Sequence, residues 1–287
     1  MFMLTFSRIA GTVVLGLGLS APAARAAAFE AADGARVEKA PLQIVEKAPL
    51  QIYATPQAAL RTALEGFRLG DTERAFEALK YAAEGGELLA QWKLAKIYAS
   101  GDGVPREDLK AYEYFSQIVS NYDEDNPDPR SAAIVSSAFV ALGIYSLNGI
   151  ENSEVVANPQ RALQLFQFAA TNFGDANAQY NLARMHLDGA VGGKDGIEAL
   201  RWLFLAADKG HVQAQALLGQ LLFAGRDGVR PQRARGLMWL TLAREAAIDS
   251  NKDKWIIDLY ETALASANEA DRHEALAYLE NHLKRRN

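Results

Sequence analysis

The sequence repeats itself, and this repetition constrains the fold more than any other feature. Four leucines each stand seven residues before a glycine and are each followed by a small residue. The four copies are Leu94-Ala95 before Gly101, Leu142-Gly143 before Gly149, Leu182-Ala183 before Gly189, and Leu218-Gly219 before Gly225. An alanine precedes each leucine by four residues, and residues four apart share one face of a helix. Each copy therefore predicts a helix that presents small side chains to a neighbour and ends at a left-handed glycine.

A second helix is predicted after each glycine. Its marker is an alanine that recurs at intervals of 36, 51, 37 and 35 residues, namely Ala75, Ala111, Ala162, Ala199 and Ala234. The long interval contains two predicted loops, residues 121–130 and 150–158, because prolines at 127, 129 and 159 interrupt helices. A single pair of such helices cannot bury its apolar face, so the pairs must stack. The sequence therefore predicts an all-α fold, a right-handed α-solenoid of about five helix-turn-helix repeats.

The first 26 residues predict a secretory signal peptide. Arg8 supplies the positive charge, residues 9–19 are apolar, and Ala24-Arg25-Ala26 has the small residues of a cleavage site. The apolar stretch is shorter than the roughly twenty residues of a spanning helix, so we expect cleavage near Ala26 rather than an uncleaved anchor. The processed chain is then expected in the periplasm without a direct membrane span.

Residues 27–55 predict a flexible arm. The octapeptide VEKAPLQI occurs twice in succession, at 37–44 and 45–52, and its prolines argue against a regular element. The arm is interpreted either as a docking peptide presented twice or as a duplicated spacer, and the spacer is favoured because linkers tolerate insertion. We expect the solenoid over residues 56–247 and a pair of capping helices over residues 248–287.

Composition narrows the function classes. The chain has 30 Lys and Arg against 35 Asp and Glu, so a broad phosphate-binding surface and a nucleic-acid partner are not expected. It has no cysteine, which excludes disulfides, thiolate metal ligands and thiol nucleophiles. Its four histidines are scattered, and no catalytic motif is present. We therefore expect neither an enzyme nor a bound metal or cofactor.

Partner binding is expected on the first helix of each pair, whose solvent-facing positions would line a concave groove. The candidates are polar and either uncharged or basic, which suits a peptide or an acidic protein edge. They are Gln91, Lys93, Lys96, Asn181, Arg184, Gln215 and Gln220. For any one of them an ordinary surface role is the alternative, because few residues dominate an interface.

Two segments resemble a known family. Residues 178–189, AQYNLARMHLDG, and 199–210, ALRWLFLAADKG, are similar to the Sel1-like repeat, a relative of the tetratricopeptide repeat. The resemblance covers roughly residues 56–246. The family's usual tyrosine before the glycine is present as Tyr98 and replaced by Ser146, His186 and Leu222 in the other copies.

A secreted Sel1-like chain with a proline-bearing arm most resembles the periplasmic negative regulators of exopolysaccharide production. That resemblance implies a non-enzymatic protein that binds the periplasmic sensing domain of a membrane histidine kinase and holds a two-component system off. It also implies that a periplasmic protease relieves the repression. The alternative is a periplasmic scaffold that organises cell-envelope or polysaccharide assembly proteins.

Overall fold

The computed structural model describes residues 53–249 and 251–286, and within them it contains twelve α-helices and no strand. In chain order these are α1 (Pro56–Leu69), α2 (Thr72–Glu84), α3 (Leu88–Ser100), α4 (Asp108–Ser120), α5 (Ala132–Asn148), α6 (Pro159–Asn172), α7 (Ala176–Asp188), α8 (Gly196–Asp208), α9 (Val212–Ala224), α10 (Arg233–Ala246), α11 (Lys254–Ser266) and α12 (Glu269–Arg286). The predicted signal peptide and both VEKAPLQI copies lie outside the described residues.

Helices pair as the alanine and glycine markers predict. Helices α1 with α2, α3 with α4, α5 with α6, α7 with α8, and α9 with α10 form five helical hairpins, and each hairpin packs on the next through its second helix. The extensive contacts join helices that are adjacent or next-but-one along the chain. This one-dimensional contact pattern is that of a repeat stack, and the predicted all-α solenoid is confirmed.

Three of the predicted glycine helix ends have left-handed geometry. Gly101, Gly189 and Gly225 have φ of 71°, 70° and 63°, and the N–H of each donates to the carbonyl four residues earlier. Gly149 also has positive φ, 70°, but its ψ is 177°. Helix α5 therefore ends in an extended turn, which leads into the longer connection to α6.

Small residues let the two helices of a hairpin approach closely. The marker alanines Ala75, Ala111, Ala162 and Ala199 have no solvent exposure. In the fifth hairpin the contact is made by glycines, since a Cβ added to Gly219 of α9 would lie 2.8 Å from the Gly236 carbonyl oxygen of α10. Such spacing leaves no room for a larger side chain at the contact.

Helices α11 and α12 follow the fifth hairpin and pack on α10. An ion pair ties the two regions together, because Arg233 at the start of α10 lies 2.9 Å from Asp271 of α12 and also donates to the Ser266 carbonyl oxygen, 2.6 Å away. These two helices occupy the region in which the sequence predicts a pair of capping helices, residues 248–287. None of the described helices combines the length and the apolar character that crossing a bilayer requires.

We expect Gly219→Ala to destabilise the protein, although alanine has the higher helix propensity by about 1 kcal/mol. The added methyl would lie 2.7 Å from Leu240 Cγ and 2.8 Å from a backbone oxygen, so α9 and α10 must move apart. Overpacking of this kind costs about 1–3 kcal/mol, so we expect a net loss of up to about 2 kcal/mol. Urea denaturation followed by circular dichroism measures the free energy of unfolding.

Gly193→Ala is the control for this measurement. A Cβ at Gly193 would meet no atom within 4 Å, and we expect a change below about 0.5 kcal/mol. A gain in stability from Gly219→Ala would contradict the close approach of α9 and α10.

Candidate functional site

The candidate site lies on the first helices of the hairpins, which carry all seven residues predicted to bind a partner. Four of them are partly exposed, namely Lys93, Lys96, Arg184 and Gln220. The other three are buried, since Gln91, Asn181 and Gln215 are 5%, 6% and 4% exposed. The prediction that these three face solvent is wrong, because Gln91 and Gln215 turn toward the preceding hairpin and Asn181 turns toward its own helix.

The buried glutamines connect neighbouring hairpins. Each directly follows the alanine that stands four residues before a repeat leucine, and its side-chain amide donates to a carbonyl in the last turn of the preceding helix. The three bonds are Gln91 to Ala83 (3.3 Å), Gln179 to Ala170 (3.4 Å) and Gln215 to Ala207 (3.1 Å). Carbonyls in the last turn lack a donor within their own helix, and the glutamine supplies one from the next hairpin. At Ala83 and Ala207 it adds to a backbone bond from the following turn, donated by the N–H groups of Gly86 and Gly210. Asn181 instead donates to the Asn177 carbonyl of its own helix, 2.8 Å away.

The third hairpin has Phe139 where the second, fourth and fifth hairpins have the glutamine. Its ring stacks on Phe168, with centroids 4.4 Å apart, and Phe173 lies 6.2 Å from it. Tyr122, which follows α4, lies 5.7 Å from Phe173 and 6.2 Å from Phe139. These four rings form an aromatic cluster at the start of the long 121–131 connection. This cluster was not among the predicted features, although the change from glutamine to phenylalanine after Ala138 indicates it.

Two of the predicted residues are cations held over aromatic rings. Lys96 and Arg184 each stand two residues after a repeat leucine and four residues after an aromatic residue. The Lys96 Nζ lies 4.6 Å from the ring centroid of Trp92, and the Arg184 Cζ lies 5.7 Å from that of Tyr180. We call these two contacts the ring–cation pairs. An interaction of this kind is worth about 0.5–1 kcal/mol and orients a cation without removing it from solvent.

Each ring of the ring–cation pairs is held by the next hairpin. The Trp92 Nε1 donates to the Ser137 hydroxyl of α5, 3.1 Å away. The Tyr180 ring stacks on the imidazole of His211, which caps α9, with centroids 4.7 Å apart. The two cations therefore project from a surface that the stack itself keeps in place. Fewer side chains need to be ordered when a partner binds such a surface, and this reduces the entropic cost of association.

His211 is neutral in this arrangement. Its Nδ1 accepts a hydrogen bond from the Ala214 N–H at 3.1 Å, so the proton resides on Nε2, which lies 3.2 Å from the Asn177 side-chain oxygen and donates to it. Burial lowers the pKa of His211 to about 4, against the opposing effect of the Asp175 carboxylate. Burial also raises the pKa of Tyr180. A neutral imidazole and a neutral phenol suit a binding surface better than proton transfer at neutral pH.

The two remaining predicted site residues, Gln220 and Lys93, do not belong to a group of side chains arranged for catalysis. Gln220 occupies the position of Lys96 and Arg184 in the fifth hairpin, and its side-chain oxygen accepts from Arg226 at 3.4 Å. Lys93 neighbours Trp92 on α3 and is partly exposed. Across residues 53–249 and 251–286, no group of three or more His, Asp or Glu side chains could hold a metal ion.

Comparisons with known proteins agree with the repeat architecture. The family model described as "Sel1 repeat" matches residues 88–121, 138–172, 176–211 and 212–247. The hairpin of α1 and α2 precedes these four matches. A crystal structure of a Sel1 repeat protein from Oxalobacter formigenes is similar in fold, with a TM-score of 0.57 and 24% sequence identity over 80% of this chain and 88% of that one.

Two relatives are similar over most of their length. A protein of Rhizobium leguminosarum bv. viciae named "Exopolysaccharide production negative regulator" is 36% identical over 225 residues, which is 77% of this chain and 80% of the relative. A protein of the same name from Rhizobium meliloti (strain 1021) is 35% identical over 227 residues, or 79% of this chain and 81% of the relative.

The neutral cap at His211 predicts a pH-dependent stability. The pKa is about 4 in the folded chain and about 6.5 in the unfolded chain, so between these values the unfolded state binds the proton first. The contribution of His211 to the free energy of unfolding is therefore complete above pH 6.5. It decreases as the pH falls to 4, by up to about 3 kcal/mol. We expect His211→Asn, which keeps a capping oxygen without a titrating ring, to lose less stability over this range.

Urea denaturation of the unchanged protein and of the His211→Asn variant at pH 7.5, 5.5 and 4.5 measures the contribution of His211 to stability. The difference between the two chains removes the shared effect of the carboxylates. Parallel pH profiles for the two chains would contradict a buried neutral imidazole.

The glutamine bond between hairpins predicts a cost for its removal. We expect Gln215→Leu to lower the free energy of unfolding by about 0.5–1.5 kcal/mol, because the buried bond from the Gln215 amide to the Ala207 carbonyl is lost while the Gly210 N–H still donates to that carbonyl. Gln220→Leu on the same helix, where the side chain is partly exposed, should change stability by less than about 0.5 kcal/mol. Equal midpoints for the two variants in thermal denaturation would show that the bond is dispensable.

Proposed function

Because the chain belongs to the Sel1 repeat family and aligns with its exopolysaccharide production negative regulators, we propose that it is a negative regulator of exopolysaccharide production. The observation that carries this proposal is the length of the alignment. The relatives align over 225 and 227 residues, which is more than the stretch of residues 88–247 that holds the four repeat matches. The similarity therefore extends beyond the repeats that any Sel1 protein shares.

In this proposal the chain acts in the periplasm without catalysis. It binds the sensing domain of a membrane histidine kinase, keeps the two-component system off, and is removed by a periplasmic protease. The ring–cation pairs support a protein partner with an acidic edge, because Lys96 and Arg184 are positively charged, partly exposed and held in place. An interface of ordinary size, about 1,200–2,000 Å² in total, would extend over several hairpins.

We expect the double variant Lys96→Glu, Arg184→Glu to bind the kinase sensing domain at least tenfold more weakly than the unchanged chain. Reversing two charges at an interface slows association and opposes an acidic partner. Arg201→Glu is the matched control, since Arg201 is 71% exposed but lies on a second helix. Surface plasmon resonance at two salt concentrations measures both the affinity and its salt dependence. Equal affinity of the double variant and the control would remove these residues from the interface.

A test in cells separates repression from scaffolding. Deletion of the gene should raise exopolysaccharide output and kinase activity if the chain is a repressor. The Lys96→Glu, Arg184→Glu variant should then fail to restore repression although it folds normally. A fall in exopolysaccharide output after deletion would contradict repression and favour an assembly scaffold.

A further inference from the structure

A polar cleft of about 450 Å³ lies between α2, α3 and α4, and no residue of the ring–cation pairs lines it. This volume is within the range of sites that bind small ligands or short peptides, about 300–1,000 Å³. Helix α2 contributes Lys80 and Glu84, helix α3 contributes Tyr98, and helix α4 contributes much of the remaining wall. The buried amide of Gln91 lies beneath it and donates to the Gln117 side-chain oxygen at 3.4 Å.

Aromatic rings form one wall of the cleft. The rings of Tyr98 and Tyr114 are nearly parallel, with centroids 6.2 Å apart and an interplanar angle of 5°. The Lys110 Nζ lies 5.2 Å from the Tyr98 centroid. Grooves lined by aromatic rings bind extended segments that contain proline, because proline holds such a segment in its bound conformation before it binds.

The charges around the cleft leave two carboxylates for a ligand. Lys80 and Lys110 form ion pairs, each 2.8 Å long, with the neighbouring Glu77 and Glu107. Glu84 and Glu113 also line the cleft, are exposed, and form no ion pair with another residue of the described ranges. A ligand that brings a lysine would complement these two carboxylates. A glutamate beside that lysine would point to the opposite side of the ligand if the ligand is extended.

A segment with this chemistry is attached beside the cleft. Tyr53, the first described residue, accepts a hydrogen bond from the Tyr81 hydroxyl through its carbonyl oxygen at 3.2 Å, and the two rings lie 5.2 Å apart. Tyr81 directly follows Lys80 on α2 and stands one helical turn before Glu84. The second VEKAPLQI copy, residues 45–52, ends at the residue before Tyr53. A short tether of this kind gives an effective concentration in the millimolar range.

We propose that the cleft between α2, α3 and α4 binds the chain's own VEKAPLQI segment, residues 45–52. Lys47 pairs with Glu84 and Glu113, and Pro49 packs on the ring of Tyr114. The copy at residues 37–44 has the same side chains in the same order, so it is a second ligand for the same cleft. The duplicated motif is then an internal docking peptide and not a spacer, and any outside peptide that uses the cleft must displace it.

The first experiment measures competition between the tethered segment and a free peptide. A fluorescently labelled VEKAPLQI peptide is titrated with the purified chain and with a chain in which residues 37–52 are replaced by a glycine-serine stretch of equal length. We expect saturable binding to the replaced chain and an apparent affinity at least tenfold weaker for the unchanged chain, whose own segment competes. A scrambled peptide of the same composition is the control.

The second experiment tests the position of Lys47 by charge exchange. In the replaced chain, Glu84→Lys with Glu113→Lys should reduce binding of the VEKAPLQI peptide at least tenfold, and a peptide with the lysine changed to glutamate should bind this variant better than it binds the parent. Both glutamates are exposed, so the variant should keep its fold, which circular dichroism verifies. Absence of binding to the replaced chain, equal affinity with and without the tethered copies, or no effect of the charge exchange would overturn the proposal.

Discussion

The close approach of paired helices is the constraint on which the rest of the structure depends. Each hairpin closes through alanine or glycine, and in the fifth hairpin the distance from a Cβ at Gly219 to the facing carbonyl would be only 2.8 Å. Contacts this tight fix how far a helix stands from its partner, and the small residues that permit them recur along the chain. The positions of Lys96 and Arg184, four helices apart, follow from this repetition, since both stand two residues after a repeat leucine.

The stack is held by different interactions at different junctions. Glutamine side chains join the first hairpin to the second, the third to the fourth, and the fourth to the fifth. At the junction between the second and third hairpins, Phe139 and its aromatic cluster take that place. The cluster seats Tyr122 and so fixes the start of the long connection that interrupts the repeat. The long connection that interrupts the repeat therefore begins at the junction where the aromatic cluster replaces the glutamine bond.

The sequence predicts the fold far better than the site. Alanine and glycine recur where two helix backbones approach closely, and glycine also recurs where helices end. Their spacing therefore predicts the hairpins, the helix ends and the stacking. Gln91 and Gln215 were wrongly expected at the surface because a helical wheel describes one helix, while their burial comes from the preceding hairpin. The ring–cation pairs had a local signal, an aromatic residue four before a cation. The neutral His211 had none, because its partner Asn177 is 34 residues away.

The glutamine joints are also local in sequence. Donor and acceptor are eight or nine residues apart in all three, so each joint closes across a single hairpin boundary and none clamps the two ends of the stack to one another. In a stack built this way every unit depends on its immediate neighbours alone. Pulled from both ends, such a molecule would give way in a series of small force steps, one hairpin after another, instead of a single rupture.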